Sequence, residues 1–192
     1  MNHCTAVNIL DMVNAIGEDT VQRILSDFSC QKNSEIENFV KQNALEFVKR
    51  KMSITYLVID EDGNLIAIFA LTHKAVQLSD HNLSASARKK IERYTKLDKQ
   101  SNTYMLSAFL VAQFGKNDQY KKHIAGNELM DMTMNVLISI QRAIGGGVVY
   151  LECEDKDQLL SFYENDKNRF RVFGERRSDK DGIKYIQLLR LF

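Results

Sequence analysis

The middle of the chain consists of an apolar run followed by a polar, glycine-containing loop and an amphipathic helix. The run YMLSAFLVAQF (residues 104–114) has the length and composition of a central strand buried on both faces. From residue 127 to residue 144 apolar side chains recur at helical spacing, and Gly145-Gly146-Gly147 ends this helix. A strand that leads through a loop into a helix is typical of α/β proteins, so the chain is predicted to belong to that class.

The flanking segments predict more helices and strands. Helices are expected at residues 19–28, from Asn33 or Ser34 onward, within the polar stretch 80–97, and from Asp155 or Asp157 to about residue 163. Strands are expected in a hairpin around Asp62-Gly63, at residues 148–151, and at residues 170–175 and 183–191, which a 178–182 turn joins. The resulting order predicts an α/β fold with a mixed sheet.

Composition and charge exclude several classes of protein. Apolar residues make up 44% and charged residues 27% of the chain, as in ordinary globular domains. The 26 basic and 25 acidic residues leave a formal charge of +1, so no global field attracts nucleic acid or a membrane. Neither a signal peptide nor an apolar run of about 18 residues occurs. We therefore expect one cytoplasmic domain over residues 1–192, with a polar helical insertion at about residues 80–100 and no membrane partner.

The three cysteines indicate neither a disulfide framework nor a metal site. Cys4, Cys30 and Cys153 are odd in number, widely spaced and without a CxxC motif or nearby histidine pairs. We expect reduced, structural thiols and no metal ion.

The loop before the predicted helix at residues 127–144 carries features of a phosphate site. Backbone N–H groups at a helix N-terminus are unpaired and carry the positive end of the helix dipole. Lys121, Lys122 and His123 add charge, and Gly126 allows close approach of the backbone. Neither GxxxxGK[ST] nor GxGxxG occurs, which argues against a P-loop or Rossmann site. Spacing alone does not establish phosphate binding, because many α/β proteins have a glycine before a helix.

From residue 19 to residue 192 the order of elements resembles that of the GNAT superfamily of acetyl-CoA-dependent N-acetyltransferases, most specifically over residues 109–163. The resemblance is greatest to the compact GNATs, some of which are toxins of toxin–antitoxin pairs. The segment QFGKN (residues 113–117) stands where the fourth strand of such proteins ends in a motif of the form R-L-A-V-D. The segment KKHIAG (residues 121–126) stands in place of the pyrophosphate loop [RQ]-x-x-G-x-[GA].

This resemblance implies a fold, a cosubstrate and a set of binding residues. The implied fold is a mixed, mostly antiparallel central sheet with helices on both faces, and the implied cosubstrate is acetyl-CoA. The strand backbone at Phe114, Gly115 and Lys116 would pair with the pantetheine arm. The pyrophosphate would be held by Lys121, Lys122, His123, Ile124, Ala125, Gly126 and Asn127. The resemblance also implies a homodimer.

Two residues depart from the pyrophosphate-loop motif. Lys121 replaces the leading arginine or glutamine, and Ile124 replaces the first glycine. A β-branched residue does not adopt a positive φ cheaply, so we expect Ile124 to have right-handed helical or extended geometry.

The segment FYEN (residues 162–165) resembles the family motif F-Y-E-x-x-G-F, in which the tyrosine directs its hydroxyl at the sulfur of coenzyme A. The resemblance gives this role to Tyr163. Proton transfer from a tyrosine near 10 to a thiolate near 8.5 is uphill by roughly 1.5 pKa units, or about 2 kcal/mol. We therefore expect Tyr163 to stabilise the thiolate first and to act as a full general acid second. The expected glycine is missing, because residues 165–169 intervene before Phe170.

An amine with a pKa of about 10.4 must lose a proton before it attacks, which requires a base or a chain of water molecules. Glu152, Glu154 and His73 are the candidate bases, although each is also an ordinary strand-end or surface residue. Cys153 lacks a histidine partner in the sequence, so a buried structural thiol is the better interpretation than a nucleophile.

The leading hypothesis is acetyl transfer from acetyl-CoA to a primary amine by direct attack, with the acceptor left open. A second hypothesis is a toxin-like enzyme that acetylates aminoacyl-tRNA, for which the sequence offers a local basic patch of Arg88, Lys89, Lys90 and Arg93. A third is a catalytically inactive module that binds coenzyme A or a partner.

Overall fold

A mixed sheet organises the computed structural model, which describes residues 4–179 and 181–192. The strands of the described residues are β1 (Thr5–Asn8), β2 (Ile54–Ile59), β3 (Leu65–Ser79), β4 (Leu97–Asp98), β5 (Thr103–Lys116), β6 (Val148–Glu154), β7 (Arg171–Arg177) and β8 (Lys184–Leu191). The helices are α1 (Ile9–Ile16), α2 (Glu18–Ser26), α3 (Ser34–Asn38), α4 (Ala44–Lys49), α5 (Ala85–Ile91), α6 (Gly126–Ile144) and α7 (Asp157–Glu164).

The strands lie in the order β1-β2-β3-β5-β6-β8-β7, and β4 pairs with β5. The pairs β1/β2, β2/β3, β4/β5, β6/β8 and β7/β8 are antiparallel, whereas β5 and β6 are parallel. The parallel pairing aligns Phe109 with Val149 and Leu110 with Tyr150. The predicted mixed, mostly antiparallel sheet is therefore confirmed.

The chain divides into two compact units, each with its own core. The first comprises the described part of residues 1–72 together with residues 111–136, and the second comprises residues 73–110 together with the described part of residues 137–192. Strands β3 and β5 and helix α6 each contribute residues to both units. The single domain over residues 1–192, its insertion and its cytoplasmic location stay predictions. Among the described residues, no helix is long and apolar enough to span a bilayer.

Helices α2, α3 and α4 of the first unit lie close to where the sequence predicts helices. Val21 and Leu25 of α2 are buried at i and i+4, which accounts for its amphipathic pattern. Asn33 caps α3 by accepting a hydrogen bond from the backbone of Ile36 at 3.1 Å. A short π-helical segment (Phe39–Asn43) joins α3 to α4.

Strand β1 and helix α1 were not predicted from the sequence. Four residues form β1, and its geometry depends on antiparallel pairing with β2, from Thr5 opposite Ile59 to Asn8 opposite Tyr56. Asn8 then starts α1 by accepting a hydrogen bond from the backbone of Leu10 at 2.9 Å. Such a short strand has too little local signal, because the partner that stabilises it lies some fifty residues away along the chain.

The hairpin predicted around Asp62-Gly63 is formed by β2 and β3. Gly63 has a φ of 84°, which a side chain would disfavour. The Asp60 carboxylate closes this turn by accepting hydrogen bonds from the backbone N–H groups of Asp62 at 3.1 Å and Asn64 at 2.8 Å.

In the second unit, the prediction that residues 104–114 form a strand buried on both faces is wrong for the first half of β5. Burial alternates there: Tyr104 and Leu106 pack into a core with Ile91 of α5, whereas Met105 is 56% exposed. The apolar run concealed this alternation, because Met105 is apolar on a face that the core does not cover.

The end of α6 lies where the glycine run predicts it. Gly145 has a φ of 80°, and its N–H donates to the Gln141 carbonyl at 2.7 Å. Gly147 has a steric role, since a Cβ there would lie 1.9 Å from Cζ of Tyr94. The turn at residues 178–182, of which Lys180 lies outside the described residues, joins β7 to β8 as predicted.

Candidate active site

The loop between β5 and α6 lies in the first unit and surrounds a cavity of about 770 Å³, a size typical of ligand pockets. Its lining consists of Cys4, Lys116, Lys121, Lys122, His123, Ile124, Ala125, Glu128, Asp131 and Met132. Six of the predicted cofactor residues are therefore brought together around one cavity. Cys4, Glu128, Asp131 and Met132 were not predicted to belong to it.

The side chain of Lys116 has a role that the sequence did not indicate. Its ammonium donates hydrogen bonds to two carbonyl oxygens of the loop, that of Lys121 at 2.8 Å and that of Ile124 at 3.1 Å. The last residue of β5 therefore closes the loop that follows it.

At the N-terminus of α6, Ala125 occupies the capping position. Its carbonyl accepts the N–H of Leu129 at 3.1 Å, and its own N–H donates to the Glu128 carboxylate at 2.7 Å. A glutamate three residues after a helix cap is the carboxylate half of a capping box, a spacing that could have identified Glu128 from the sequence. One amide of the predicted phosphate site is thus already bonded to a carboxylate.

Ile124 has the backbone geometry expected from its β-branched side chain. The described non-glycine residues with positive φ are Lys51, Asn102 and Arg169, and Ile124 is not among them. Its side chain is 4% exposed. The departure from glycine is accommodated because this residue packs inward.

His123 lies against the hairpin of β2 and β3. Its Nδ1 is 3.6 Å from the buried carboxylate of Asp60, and its ring centroid is 5.3 Å from that of Tyr120. Burial alone would raise the pKa of Asp60, but hydrogen bonds from Asn64 and Asp62 outweigh it and hold the pKa below its usual range. Asp60 is therefore an anion, and the His123 ring lies next to it.

Gly115 and Asn117 of the predicted strand-end motif have packing roles. A Cβ at Gly115 would lie 3.0 Å from Cγ2 of Ile36, so glycine lets α3 pack closely on β5. The buried Asn117 amide donates to the Leu65 carbonyl at 2.9 Å, while its oxygen accepts from the Ser29 backbone at 3.2 Å. Phe114 is partly buried on β5, and Gly126 and Asn127 begin α6.

Tyr163 lies in the second unit, on α7, and is 7% exposed. Its ring packs edge-on against Phe162 and Phe170, with centroids 4.9 and 5.9 Å away. Burial, and then the neighbouring Cys153, raises the pKa of Tyr163 well above its usual value. Its hydroxyl is therefore protonated at neutral pH.

The residues that replace the expected glycine after Tyr163 form an ordered turn. The Asn165 side-chain oxygen accepts from the backbone of Lys167 at 2.9 Å and Asn168 at 2.8 Å. Arg169, directly before Phe170, has a φ of 57°, a conformation usually taken by glycine. The Phe170 N–H then donates to the Tyr163 carbonyl at 3.0 Å, which ties the start of β7 to α7.

Glu152, one of the three candidate bases for the amine, has surroundings that make it a poor base. Its side chain is 14% exposed and accepts hydrogen bonds from Arg176 Nε at 2.7 Å, from Gln187 at 3.2 Å and from the Tyr150 hydroxyl. Burial would raise the pKa of Glu152. Its hydrogen bonds outweigh burial, the bond from Arg176 most of all, and they lower the pKa to about 2. A carboxylate stabilised to this degree does not accept a proton from an amine.

The other candidates have ordinary surroundings. Glu154 is ion-paired with Lys156, and His73 is exposed on β3. Burial, followed by the charge of Asp155, raises the pKa of Cys153 to about 11, which keeps it a thiol, as expected for a structural cysteine. All three cysteines are free.

A second cavity, of about 700 Å³, lies within the second unit. Lys90, Arg169 and Arg171 line it, and no aspartate or glutamate is part of its described lining. The predicted basic patch is divided, since Lys90 faces this cavity whereas Arg88 pairs with Asp80 at 2.7 Å. In the described part of the chain, no cluster of three or more histidine, cysteine, aspartate or glutamate side chains is suited to hold a metal ion.

Comparison of the sequence with protein-family models and with curated proteins finds no match. Comparison with solved structures finds a bacterial toxin with a TM-score of 0.66 and 18% identity, covering 100% of this chain and 92% of that chain. AtaT complexed with acetyl-methionyl-tRNAfMet matches with a TM-score of 0.66 and 11% identity over 95% of this chain and 94% of that chain. AtaTR bound with AcCoA matches with a TM-score of 0.60 and 14% identity over 97% and 94% of the two chains. At these identities the likeness is one of fold, and the chain has the GNAT-like α/β fold that its sequence predicts.

Proposed function

We propose that the chain is an N-acetyltransferase that moves an acetyl group from acetyl-CoA to a primary amine by direct attack. The observation that carries this proposal is the cavity formed by the end of β5, the loop and the N-terminus of α6. The fold match to AtaTR bound with AcCoA, at a TM-score of 0.60, supports acetyl-CoA as the cosubstrate.

The residues around this cavity fit a pyrophosphate. Lys116, Lys121 and Lys122 contribute three positive charges and Glu128 and Asp131 two negative ones, which leaves a balance of +1 with neutral histidine. The N-terminus of α6 adds the positive end of a dipole from 19 residues. Phe114 and Gly115 would pair with the pantetheine arm, and Gly126 and Asn127 would provide the first amides of the helix.

When bound, acetyl-CoA supplies a thioester whose carbonyl carbon the amine nitrogen attacks, and the C–S bond then breaks. The part we assign to Tyr163 is a hydrogen bond from its hydroxyl to the departing sulfur. Because burial raises the pKa of Tyr163, complete proton transfer costs more than the roughly 2 kcal/mol of an unperturbed tyrosine. Stabilisation of the thiolate is thus favoured over full acid catalysis. We assign removal of the amine proton to a chain of water molecules that passes it to solvent, because hydrogen bonds from Arg176 and Gln187 already occupy the Glu152 carboxylate.

Release of free thiol from acetyl-CoA across a panel of amines tests this proposal. Tyr163→Phe keeps the packed ring and removes the hydroxyl, so we expect kcat to fall about 10²- to 10³-fold with little change in the KM for acetyl-CoA. Tyr94→Phe is the matched control, because it makes the same change, loss of a hydroxyl from a retained ring, at a tyrosine that is 49% exposed. Equal rates for wild type and Tyr163→Phe would exclude this role, and coenzyme A binding without thiol release would favour an inactive module.

A second candidate acceptor is the amine of an aminoacyl-tRNA. The charged side chains that line the second cavity, Lys90, Arg169 and Arg171, are all cationic and favour it, because phosphate backbones are bound through lysine and arginine. The fold match to AtaT complexed with acetyl-methionyl-tRNAfMet adds support.

Acetylation of charged tRNA at several salt concentrations tests this acceptor. If Lys90 contacts a phosphate, Lys90→Ala should weaken tRNA binding several-fold and lower the salt slope by about 1. Lys99→Ala, at an exposed lysine outside the cavity lining, should leave both unchanged. Salt-independent acetylation, or preference for free amines over charged tRNA, would favour the small-amine reaction.

A further inference from the structure

The contacts of Lys116 differ from those expected of a lysine that binds phosphate. Its ammonium lies within hydrogen-bond distance of two neutral carbonyl oxygens, those of Lys121 and Ile124. These carbonyls are three residues apart, so one ammonium bridges the two ends of the turn. Two of the three donors of the ammonium are thereby used within the protein.

Apart from Lys116, the bridged turn is supported by the buried side chain of Ile124 and by the His123 N–H, which donates to the Tyr120 carbonyl at 2.8 Å. Lys121 and Lys122 are exposed, and the N–H of Ala125, directly after Ile124, donates to the Glu128 carboxylate at 2.7 Å. Hydrogen bonds from a charged donor are stronger than neutral ones, so the two bonds of Lys116 contribute more to this turn than ordinary turn bonds would.

We propose that Lys116 is a positioning residue, whose side chain fixes the turn at residues 121–124 so that the loop is shaped before any ligand arrives. A loop that is ordered in advance loses less conformational entropy on binding, which raises affinity without an added contact. The consequence for acetyl-CoA depends on the proposed function, whereas the effect on the free loop does not.

The competing account is that Lys116 acts through its charge on bound phosphates. Under that account Lys116→Met and Lys122→Met should weaken coenzyme A binding equally, and high salt should abolish both effects, because screening suppresses exposed charge interactions. Under positioning, Lys116→Met has the larger effect, and it persists in high salt because its cause is the shape of the loop.

Two measurements on the full chain separate these accounts. Hydrogen exchange of the free protein reports the loop directly, and calorimetric titration with coenzyme A at low and high salt reports binding. For Lys116→Met we expect about tenfold faster exchange at residues 121–126 and about tenfold weaker binding at both salt concentrations. Lys116→Arg, which retains N–H donors, should restore most of the protection.

Lys122→Met is the comparison that removes the same charge from the cavity lining. Lys99→Met is the control, because Lys99 is exposed and is not part of that lining. Unchanged loop exchange in Lys116→Met, or a binding loss equal to that of Lys122→Met, would overturn the proposal. Failure of the wild-type chain to bind coenzyme A would instead count against the proposed function, and the exchange result would still decide whether Lys116 positions the loop.

Discussion

The first cavity is lined by lysines and also by the acidic residues Glu128 and Asp131. Glu128 accepts the Ala125 N–H at 2.7 Å at the helix end where a phosphate would bind. A carboxylate there stabilises α6 through its dipole, but it also repels an incoming anion. The affinity of the cavity for phosphate is therefore expected to be lower than its lysines alone would produce.

Glu128→Gln should make this balance measurable. The amide oxygen of glutamine still accepts the Ala125 N–H while the negative charge is lost, so we expect coenzyme A to bind several-fold more tightly, by about 1 kcal/mol. Stability should fall by less than about 1 kcal/mol. Calorimetry measures the first effect and urea unfolding the second, with Glu46→Gln on the exposed side of α4 as the control. Weaker binding by Glu128→Gln would contradict the account.

The register of the loop could be predicted at the residue scale, but its side-chain contacts could not. Lys121 to Gly126 form a local pattern, so their position at the entry to α6 follows from the sequence. The bond from Lys116 to the Ile124 carbonyl joins residues eight positions apart, and it depends on how the loop curls back. Nothing in spacing indicates that this lysine turns toward carbonyl oxygens.

At the scale of elements, strands β6, β7 and β8 are joined by a polar network centred on Glu152. Arg176 of β7 and Gln187 of β8 both donate to this carboxylate of β6. The sequence indicated only a glutamate near a strand end, because its partners lie on β8, which pairs with β6, and on β7, which pairs with β8.

The pKa of Glu152 predicts how stability depends on pH. Its folded value of about 2 lies below the ordinary 4.5, so its stabilisation is present above about pH 4.5 and is lost as the pH falls toward 2. We expect Glu152→Gln to lower the free energy of unfolding by roughly 2 to 3 kcal/mol at pH 7, with the difference shrinking below pH 4.5. Urea unfolding from pH 7 to 3 measures this, with the exposed Glu175→Gln as the control. A constant difference over this range would contradict the assignment.

The turn between α7 and β7 offers a matched pair of variants at Arg169. Both Arg169→Gly and Arg169→Val lose the bond from Arg169 Nε to the Asp166 carbonyl, so their difference isolates the cost of the φ of 57°. Because a β-branched side chain is disfavoured at positive φ, the valine variant should be less stable than the glycine variant by about 1 to 2 kcal/mol. Equal unfolding free energies in urea would show that the turn relaxes to another conformation.

At the scale of the whole molecule, the formal charge of +1 does not indicate that the two cavities described above differ in the charge of their linings. One mixes lysines with carboxylates, and the other presents Lys90, Arg169 and Arg171 without an aspartate or glutamate in its described lining. Fold class and most element positions could be predicted, because they depend on local periodicity. The division into two compact units could not, since β3, β5 and α6 run through both without a break in their sequence pattern.

Calorimetric titration with coenzyme A and with pantetheine tests most directly whether the loop between β5 and α6 is a coenzyme A site. The account predicts saturable binding of coenzyme A and at least tenfold weaker binding of pantetheine, which lacks the phosphates that the lysines and the α6 N-terminus would hold. Binding should also stabilise the fold by about 2.7 kcal/mol at a hundredfold excess over Kd. Equal affinity for the two ligands, or no binding of coenzyme A at millimolar concentration, would contradict the account.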